Sequence, residues 1–186
     1  MHELRQIKLL GSGVESAYGV RLIPLKKDDL DGLFQVASDP EIWVQHPDSL
    51  RYTSEVFNPF FYGAFGDNME ACLVIHEMSG EIMGSSRYYR IDPVSDTAFI
   101  GYTFLARKWW GGYWNSCLKL IMLDLAFQKL KSVYFEAAAS NLRSVSALRK
   151  LGAEEISHPV EGKALFQISN LSWPDIRAGL NARIAQ

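Results

Sequence analysis

Gly111 and Gly112 stand between Trp109-Trp110 and Tyr113-Trp114, where a strand-like run gives way to an amphipathic helix. The chemistry such a junction offers is anion binding. A helix N-terminus presents unpaired N–H groups and the positive end of a dipole. A phosphate binds there if the backbone can come close, and glycines remove the Cβ atoms that would block the approach. The helix that follows carries Leu118, Ile121, Met122, Leu125 and Ala126 on one face, so a core anchors it. An anchored helix with a stripped N-terminus is a competent diphosphate cradle. Two glycines in isolation are more simply a helix-entry turn that needs positive φ, so the surrounding chain must decide between the readings.

The elements around this junction can be read from periodicity. "VRLIPL" (Val20 to Leu25) reads as a strand, and Asp28 or Asp29 then caps a helix burying Leu30, Leu33, Phe34 and Ala37. "SDPEIW" repeats the start signal, with Asp39 as cap and Pro40 at the first helical position. "SEVFNPFFYGAFG" is partly helical, and Pro59 is expected to kink or split it. "EACLVIHEM", "IMGSSRYYRI" and "TAFIGYTFLAR" are joined by short turns and read as an antiparallel meander. After the glycines come a helix, the strand "SVYFEAAAS", the helix "NLRSVSALRKLG", a hairpin of "AEEISHPV" and "GKALFQISN", and a closing helix capped by Ser172. This order predicts a mixed α/β sheet with helices packed on it.

Length and composition set the outer limits. A chain of 186 residues suits one domain with a sizeable core. A net charge of -2 argues against nucleic-acid or anionic-membrane partners, which need a basic surface. No apolar run approaches the ~20 residues of a membrane span. The start "MHELRQIKLLGSG" lacks a signal peptide's apolar core, and Cys72 and Cys117 read as buried thiols, so the expected compartment is the cytoplasm. Four scattered histidines show no ligand spacing, so no metal is inferred.

Two stretches together carry a resemblance. "IGYTFLARKWWGG" and "NLRSVSALRKLGAEE" are similar to the two signatures of the GNAT acyltransferase superfamily. The likeness is closest to its ribosomal-protein-alanine N-acetyltransferase (RimJ/RimL-like) branch. It runs from about Val20 to the C-terminus. It implies a GNAT domain over residues 20–186, after an N-terminal extension over 1–19 that offers a possible extra strand. The implied sheet is mostly antiparallel, with about 6–7 strands, a splayed central pair and helices on both faces. The glycines depart from the usual pattern, in which they stand two apart. Gly111 aligns with the first glycine and Tyr113 with the second, so the loop reads as a cradle shifted by one residue, a WGG-x-x-N variant. Trp110, Gly111, Gly112, Tyr113, Trp114 and Asn115 would then hold the cofactor, acetyl-CoA, which is a co-substrate. Asn115 could equally cap the helix.

The resemblance further implies that the pantetheine arm pairs with the edge of "TFLAR" through the main chain of Phe104, Leu105 and Ala106. Asn141 would pair across the split, cap its own helix, or do both. The implied reaction is attack of a neutral primary amine on the acetyl thioester, and the acceptor is a protein N-terminus or a small molecule. Two positions that are often catalytic in the superfamily are apolar here, Phe99 and Leu148. Ser144 matches a position that can protonate the leaving thiolate, and a local backbone bond is its simpler use. His46, in "WVQHPD", has the intrinsic pKa of a base and falls on the acceptor side, although a surface-loop histidine is the commoner case. Trp43, Arg87, Tyr88 and Tyr89 are the residues to expect around the acceptor, with at least one tyrosine facing the core. The alternative reading is a degenerate GNAT-fold protein that binds acyl-CoA as a sensor. A phosphate-binding module of another class lacks support, because neither G-x-x-x-x-G-K-[ST] nor G-x-G-x-x-G is present. A monomer or a homodimer fits either reading.

Overall fold

The computed structural model describes residues 7–11, 15–156 and 160–185. In chain order the elements are β1 (Glu15–Ala17), β2 (Val20–Pro24), α1 (Leu30–Ala37), α2 (Ser54–Tyr62), β3 (Glu70–His76), β4 (Ile82–Asp92) and β5 (Thr97–Leu105). There follow α3 (Trp114–Ala126), β6 (Ser132–Ala138), α4 (Leu142–Leu151), β7 (Glu154–Ile156), β8 (Lys163–Ser169) and α5 (Trp173–Ile184). The strands form one sheet of eight in the order β1-β2-β3-β4-β5-β6-β8-β7. Neighbours are antiparallel except β5 and β6, which run parallel. The count exceeds six or seven because short β1 joins β2 through a two-residue turn, with Tyr18 and Gly19 both at positive φ.

Each face of the sheet has its own core. Leu118, Leu120 and Met122 of α3, Val145 and Leu148 of α4 and Leu180 of α5 pack with Val133, Phe135 and Phe166 on one side. Leu33 and Ala37 of α1 and Phe57 and Phe61 of α2 pack with Trp43, Leu73 and Phe104 on the other. Three local expectations are corrected. Pro59 lies inside an unbroken α2, on its exposed face, while Phe57 and Phe61 hold the buried face to the sheet. The start signal at Asp39 gives only one 3-10 turn, Pro40–Ile42, although Asp39 Oδ1 does accept from Glu41 N–H at 3.1 Å. Ser172 precedes α5, but its hydroxyl turns back to the Ser169 carbonyl at 3.1 Å rather than capping the helix. Among the described residues no helix is long and apolar enough to cross a membrane.

The feature that positions the site is a parting of strands. β5 and β6 pair only at Thr97–Ser132, Ala98–Val133 and Phe99–Tyr134. Beyond Phe99 the edge of β5 has no partner on β6, while β6 stays paired to β8 as far as Ala138–Lys163. A bulge marks the departure. Arg87 pairs with Gly101 and Ser85 with Phe104, so two residues of β5 oppose Ser86 alone. Tyr102, one of the two, adopts φ 53. Gly84 lets the strands close again above the bulge: a Cβ there would lie 1.9 Å from the Phe104 carbonyl oxygen.

Lys119 of α3 reaches into the parting from below. It is 5% exposed, and its Nζ donates to Thr103 Oγ1 at 2.7 Å. Thr103 Oγ1 in turn lies 2.7 Å from Ser86 Oγ. The Phe135 ring of β6 is 5.9 Å from the same ammonium. Burial pushes the Lys119 pKa down to about 7. An unfolded lysine titrates near ~10.4. Between those values the unfolded chain binds more protons than the folded one, so stability rises with pH across that window. Below about 7 the cost of the buried charge applies in full.

Two measurements follow from this geometry. Gly84→Ala should destabilise the fold by about 3 kcal/mol or more in urea unfolding, because neither backbone can yield without breaking the ladder. Wild type compared with Lys119→Met should gain on the order of 1 kcal/mol per pH unit between about pH 7 and pH 10. A stability difference that does not change with pH would mean that Lys119 titrates as a solvated lysine.

Candidate active site

α3 starts with its first-turn N–H groups uncapped by any side chain. Tyr113 stands before the helix, its carbonyl accepting from Cys117 N–H at 2.9 Å and its exposed ring resting on Trp114 at 4.8 Å. Gly111 sits at φ 78, and a Cβ there would meet nothing within 4 Å. The entry-turn reading and the open-approach reading therefore both hold at this one residue. Gly112 has no such φ, and an added Cβ would lie 3.4 Å from the Trp114 ring. Asn115 is the second residue of α3, so it does not cap the helix. The Trp114 ring turns away to pack on Trp109 at 5.2 Å and His76 at 5.1 Å, which ties the helix start to β3. Beside the glycines opens a cleft of about 620 Å³ that Ser116, Lys150 and Arg183 also line. Arg183 Nη2 donates to the Lys150 carbonyl at 2.9 Å, and both side chains are exposed. Free amides, an unfilled approach and two cations fit the phosphates of a nucleotide-type cofactor.

A second cleft of the same size lies between α1 and the end of β5, but its charges are already matched. Arg107 pairs with Asp39 and Lys108 with Glu81, the latter at 2.6 Å. The helix-end cleft is therefore the better anion site, because its cations have no carboxylate partner among the described residues.

The free edge of β5 is partly occupied by its own chain. The Leu105 carbonyl accepts from Trp110 Nε1 at 2.8 Å, while the Ala106 N–H turns to the other side and donates to the Met83 carbonyl of β4 at 2.7 Å. The Phe104 ring is buried against Trp43 at 5.1 Å, so only its main chain can serve a ligand. Across the parting, Asn141 caps α4: its Oδ1 accepts from Ser144 N–H at 3.2 Å. Ser144 is half-buried in that first turn.

Arg143 was not legible as a site residue. Its guanidinium lies 4.0 Å over the Trp110 ring, its N–H donates to Gln45 Oε1 at 3.0 Å, and its Nη1 reaches the Ile42 carbonyl at 3.4 Å. These contacts join the β6 arm to the β5 arm across the top of the split. They link segments far apart in sequence, so no local pattern announces them.

The residues expected around an acceptor fall on or near the α1–α2 face, with one exception, Tyr88. Trp43 is corrected here: it is 3% exposed, donates to the Ala37 carbonyl at 2.7 Å and belongs to the core. His46 stands beside Arg51 on the same face. Its Nδ1 lies 2.9 Å from the Asp48 N–H and its Nε2 lies 3.1 Å from Arg51 Nη1, and a neutral ring accepts from only one of these two donors. Burial, then the Arg51 charge, pushes its pKa down to about 4. Tyr88 faces the other core, where its hydroxyl donates to the Met122 carbonyl at 2.5 Å. Arg87 and Tyr89 share the opposite face of β4 from Tyr88. Tyr89 lies against Gly101, Phe99 and Tyr102, with ring distances of 5.2 and 5.0 Å to the last two, and burial raises its pKa. Phe99 packs on Tyr134 at 5.3 Å at the vertex of the split, and Leu148 is in the core, so their apolar character is matched to their surroundings.

Comparison with known proteins agrees with this geometry. The acetyltransferase (GNAT) domain model matches residues 20–154. No curated protein sequence matches. Among solved structures, a GCN5-related N-acetyltransferase from Brucella melitensis is 20% identical with a TM-score of 0.81, covering 95% of this chain and 87% of that one. RimJ from Mycobacterium smegmatis, in complex with CoA-disulfide, is 18% identical with a TM-score of 0.69, covering 91% and 93%. The spermidine N-acetyltransferase SpeG from Vibrio cholerae is 16% identical with a TM-score of 0.65, covering 85% and 98%. At these identities the likeness is one of fold, and the domain match over most of the length carries the assignment: the chain belongs to the GNAT acetyltransferase family.

Proposed function

We propose that this protein transfers the acetyl group of acetyl-CoA to a primary amine by direct attack in a ternary complex, in the manner of RimJ/RimL-like enzymes. One observation carries the reading: the split between β5 and β6 has the uncapped end of α3 and two cations with no carboxylate partner among the described residues on one side, and a buried arginine face on the other. A neighbour in fold is named as holding CoA-disulfide and another as acting on spermidine, which agrees with an acyl-CoA donor and an amine acceptor.

Acetyl-CoA supplies the activated acetyl group. The α3 amides, Lys150 and Arg183 bind its phosphates, and the free edge of β5 around Phe104, Leu105 and Ala106 orients the arm that follows. The bulge at Tyr102 turns main-chain groups out of the β4 ladder toward the split, where an N–H steadies negative charge developing on the acyl oxygen. Ser144, held at the start of α4 by the Asn141 cap, passes its proton to the departing thiolate and regains one from the attacking nitrogen as the intermediate collapses to the amide. His46, pushed down to about 4, is a weak base, and no strong base is assigned. The amine binds in its neutral form, and holding it against the donor supplies much of the rate.

Acetyl-CoA should raise the melting temperature in a concentration-dependent way. Lys150→Glu combined with Arg183→Glu should weaken its binding by roughly 10-fold or more at low salt, and less at high salt. Unchanged affinity would move the phosphate site away from the glycines. Ser144→Ala should lower kcat by roughly 10²-fold while acetyl-CoA affinity holds, because the proton transfer matters only in the transition state. If the variant loses up to about 1 kcal/mol of stability and keeps its kcat, the serine only supports its helix.

A further inference from the structure

Arg87 carries a full charge into the α1–α2 face of the sheet. The residue is 3% exposed. Its Nη2 donates to the Phe60 carbonyl at 2.7 Å, and its Nε is buried with no partner. The guanidinium lies 4.2 Å from the Phe60 ring centre and 4.8 Å from that of Tyr102. Ring faces attract a cation but leave an in-plane N–H unfilled. Among the described residues no carboxylate pairs with it. Burial pushes its pKa down to about 10, so it stays protonated near neutrality.

Arg51 lies 4.3 Å from the same Phe60 ring, and its situation differs. Asp48 pairs with its Nη2, and His46 faces its Nη1. The charge left unbalanced on this face is therefore that of Arg87. A buried, incompletely bonded cation lowers stability unless a partner arrives. Its place is specific as well. Arg87 pairs across the strands with Gly101, immediately before the bulge at Tyr102 and next to the vertex of the split. A partner for Arg87 would bind beside that vertex.

We infer that Arg87 receives a carboxylate of the acceptor, so that the substrate is a primary amine that also carries a negative charge. This rests on the acetyltransferase reading. Two sources present that chemistry: a free amino acid, through its α-carboxylate, and a peptide whose N-terminal residue is followed by an acidic one. Polyamines are disfavoured, because Arg87 and Arg51 present like charge. A purely structural Arg87 accounts for the bond to Phe60 and the stacking, and leaves the buried Nε without a reason.

The test is turnover of matched acceptors at saturating acetyl-CoA, read as CoA release and corrected for the fraction of neutral amine. The pairs are alanine with alaninamide, and Ser-Asp-Ala-amide with Ser-Asn-Ala-amide; spermidine is the cationic control. In wild type, the carboxylate member of one pair should exceed its amide in kcat/KM by about 10- to 100-fold, and the responding pair identifies the source. In Arg87→Gln that ratio should fall toward one, and in Arg87→Lys it should survive in part. Equal use of carboxylate and amide by wild type, a preference that persists in Arg87→Gln, or spermidine as the best substrate overturns the inference and leaves the acetyltransferase reading standing. Turnover of no amine at all overturns both. If Arg87→Gln does not fold, the wild-type ratio and the Lys variant decide.

Discussion

Three residue pairs hold β5 to β6, and the rest of the molecule depends on what happens after them. A sheet normally cannot leave two facing edges unpaired in its middle, because each buried N–H and C=O needs a partner. Here β5 keeps β4 on its other side and β6 keeps β8, so the arms stay rigid while the gap between them opens. The bulge commits the strand to this course. Tyr102 at φ 53 is a conformation that costs about 1–3 kcal/mol, and the chain of Ser86, Thr103 and Lys119 braces the strand at that point. Such a gap is filled naturally by something strand-like, with amides of its own.

Charge is arranged around that gap in a way the net value of -2 conceals. Lys150 and Arg183 are exposed beside the helix end, where cations cost little and attract phosphate across solvent. Arg87, Arg51 and Lys119 are buried on the two faces of the split, where each lowers stability. The exposed pair can be understood as surface electrostatics. The buried group needs a reason beyond the fold, and its members lie beside the bulge or directly beneath it.

What the sequence disclosed and what it withheld divide along physical lines. Strand alternation in "IMGSSRYYRI" and the helical spacing of Leu118, Ile121 and Met122 are properties of contiguous residues, and they located β4 and α3 correctly. The glycine junction was legible because helix ends need special backbone, although the conformational demand falls on Gly111 and not on Gly112. The surroundings of Trp43 and His46 were not legible because they are partners brought by other segments. A tryptophan before a loop reads as a site residue until Ala37 and Phe104 are seen around it. The histidine's lowered pKa needs the burial and the Arg51 charge, which no local pattern shows. Arg143, Trp110 and Gln45 meet only in three dimensions, and Pro59 was tolerated because its helix is held from the opposite face.

In the proposed reaction, the weak basicity of His46 and the cationic face around Arg87 bear on the same step. An ammonium must lose a proton before its nitrogen can attack, and the positions that often assist this are apolar here or already bonded. An amine bound near Arg87 and Arg51 meets like charge, which shifts its equilibrium toward the neutral form. The same field draws in a carboxylate on the other end of the molecule. A site of this kind selects the reactive protonation state by electrostatics at binding, so solvent can take the proton before the complex closes. The face that lacks a base is then the face that has least need of one, provided the acceptor brings the negative charge that Arg87 lacks.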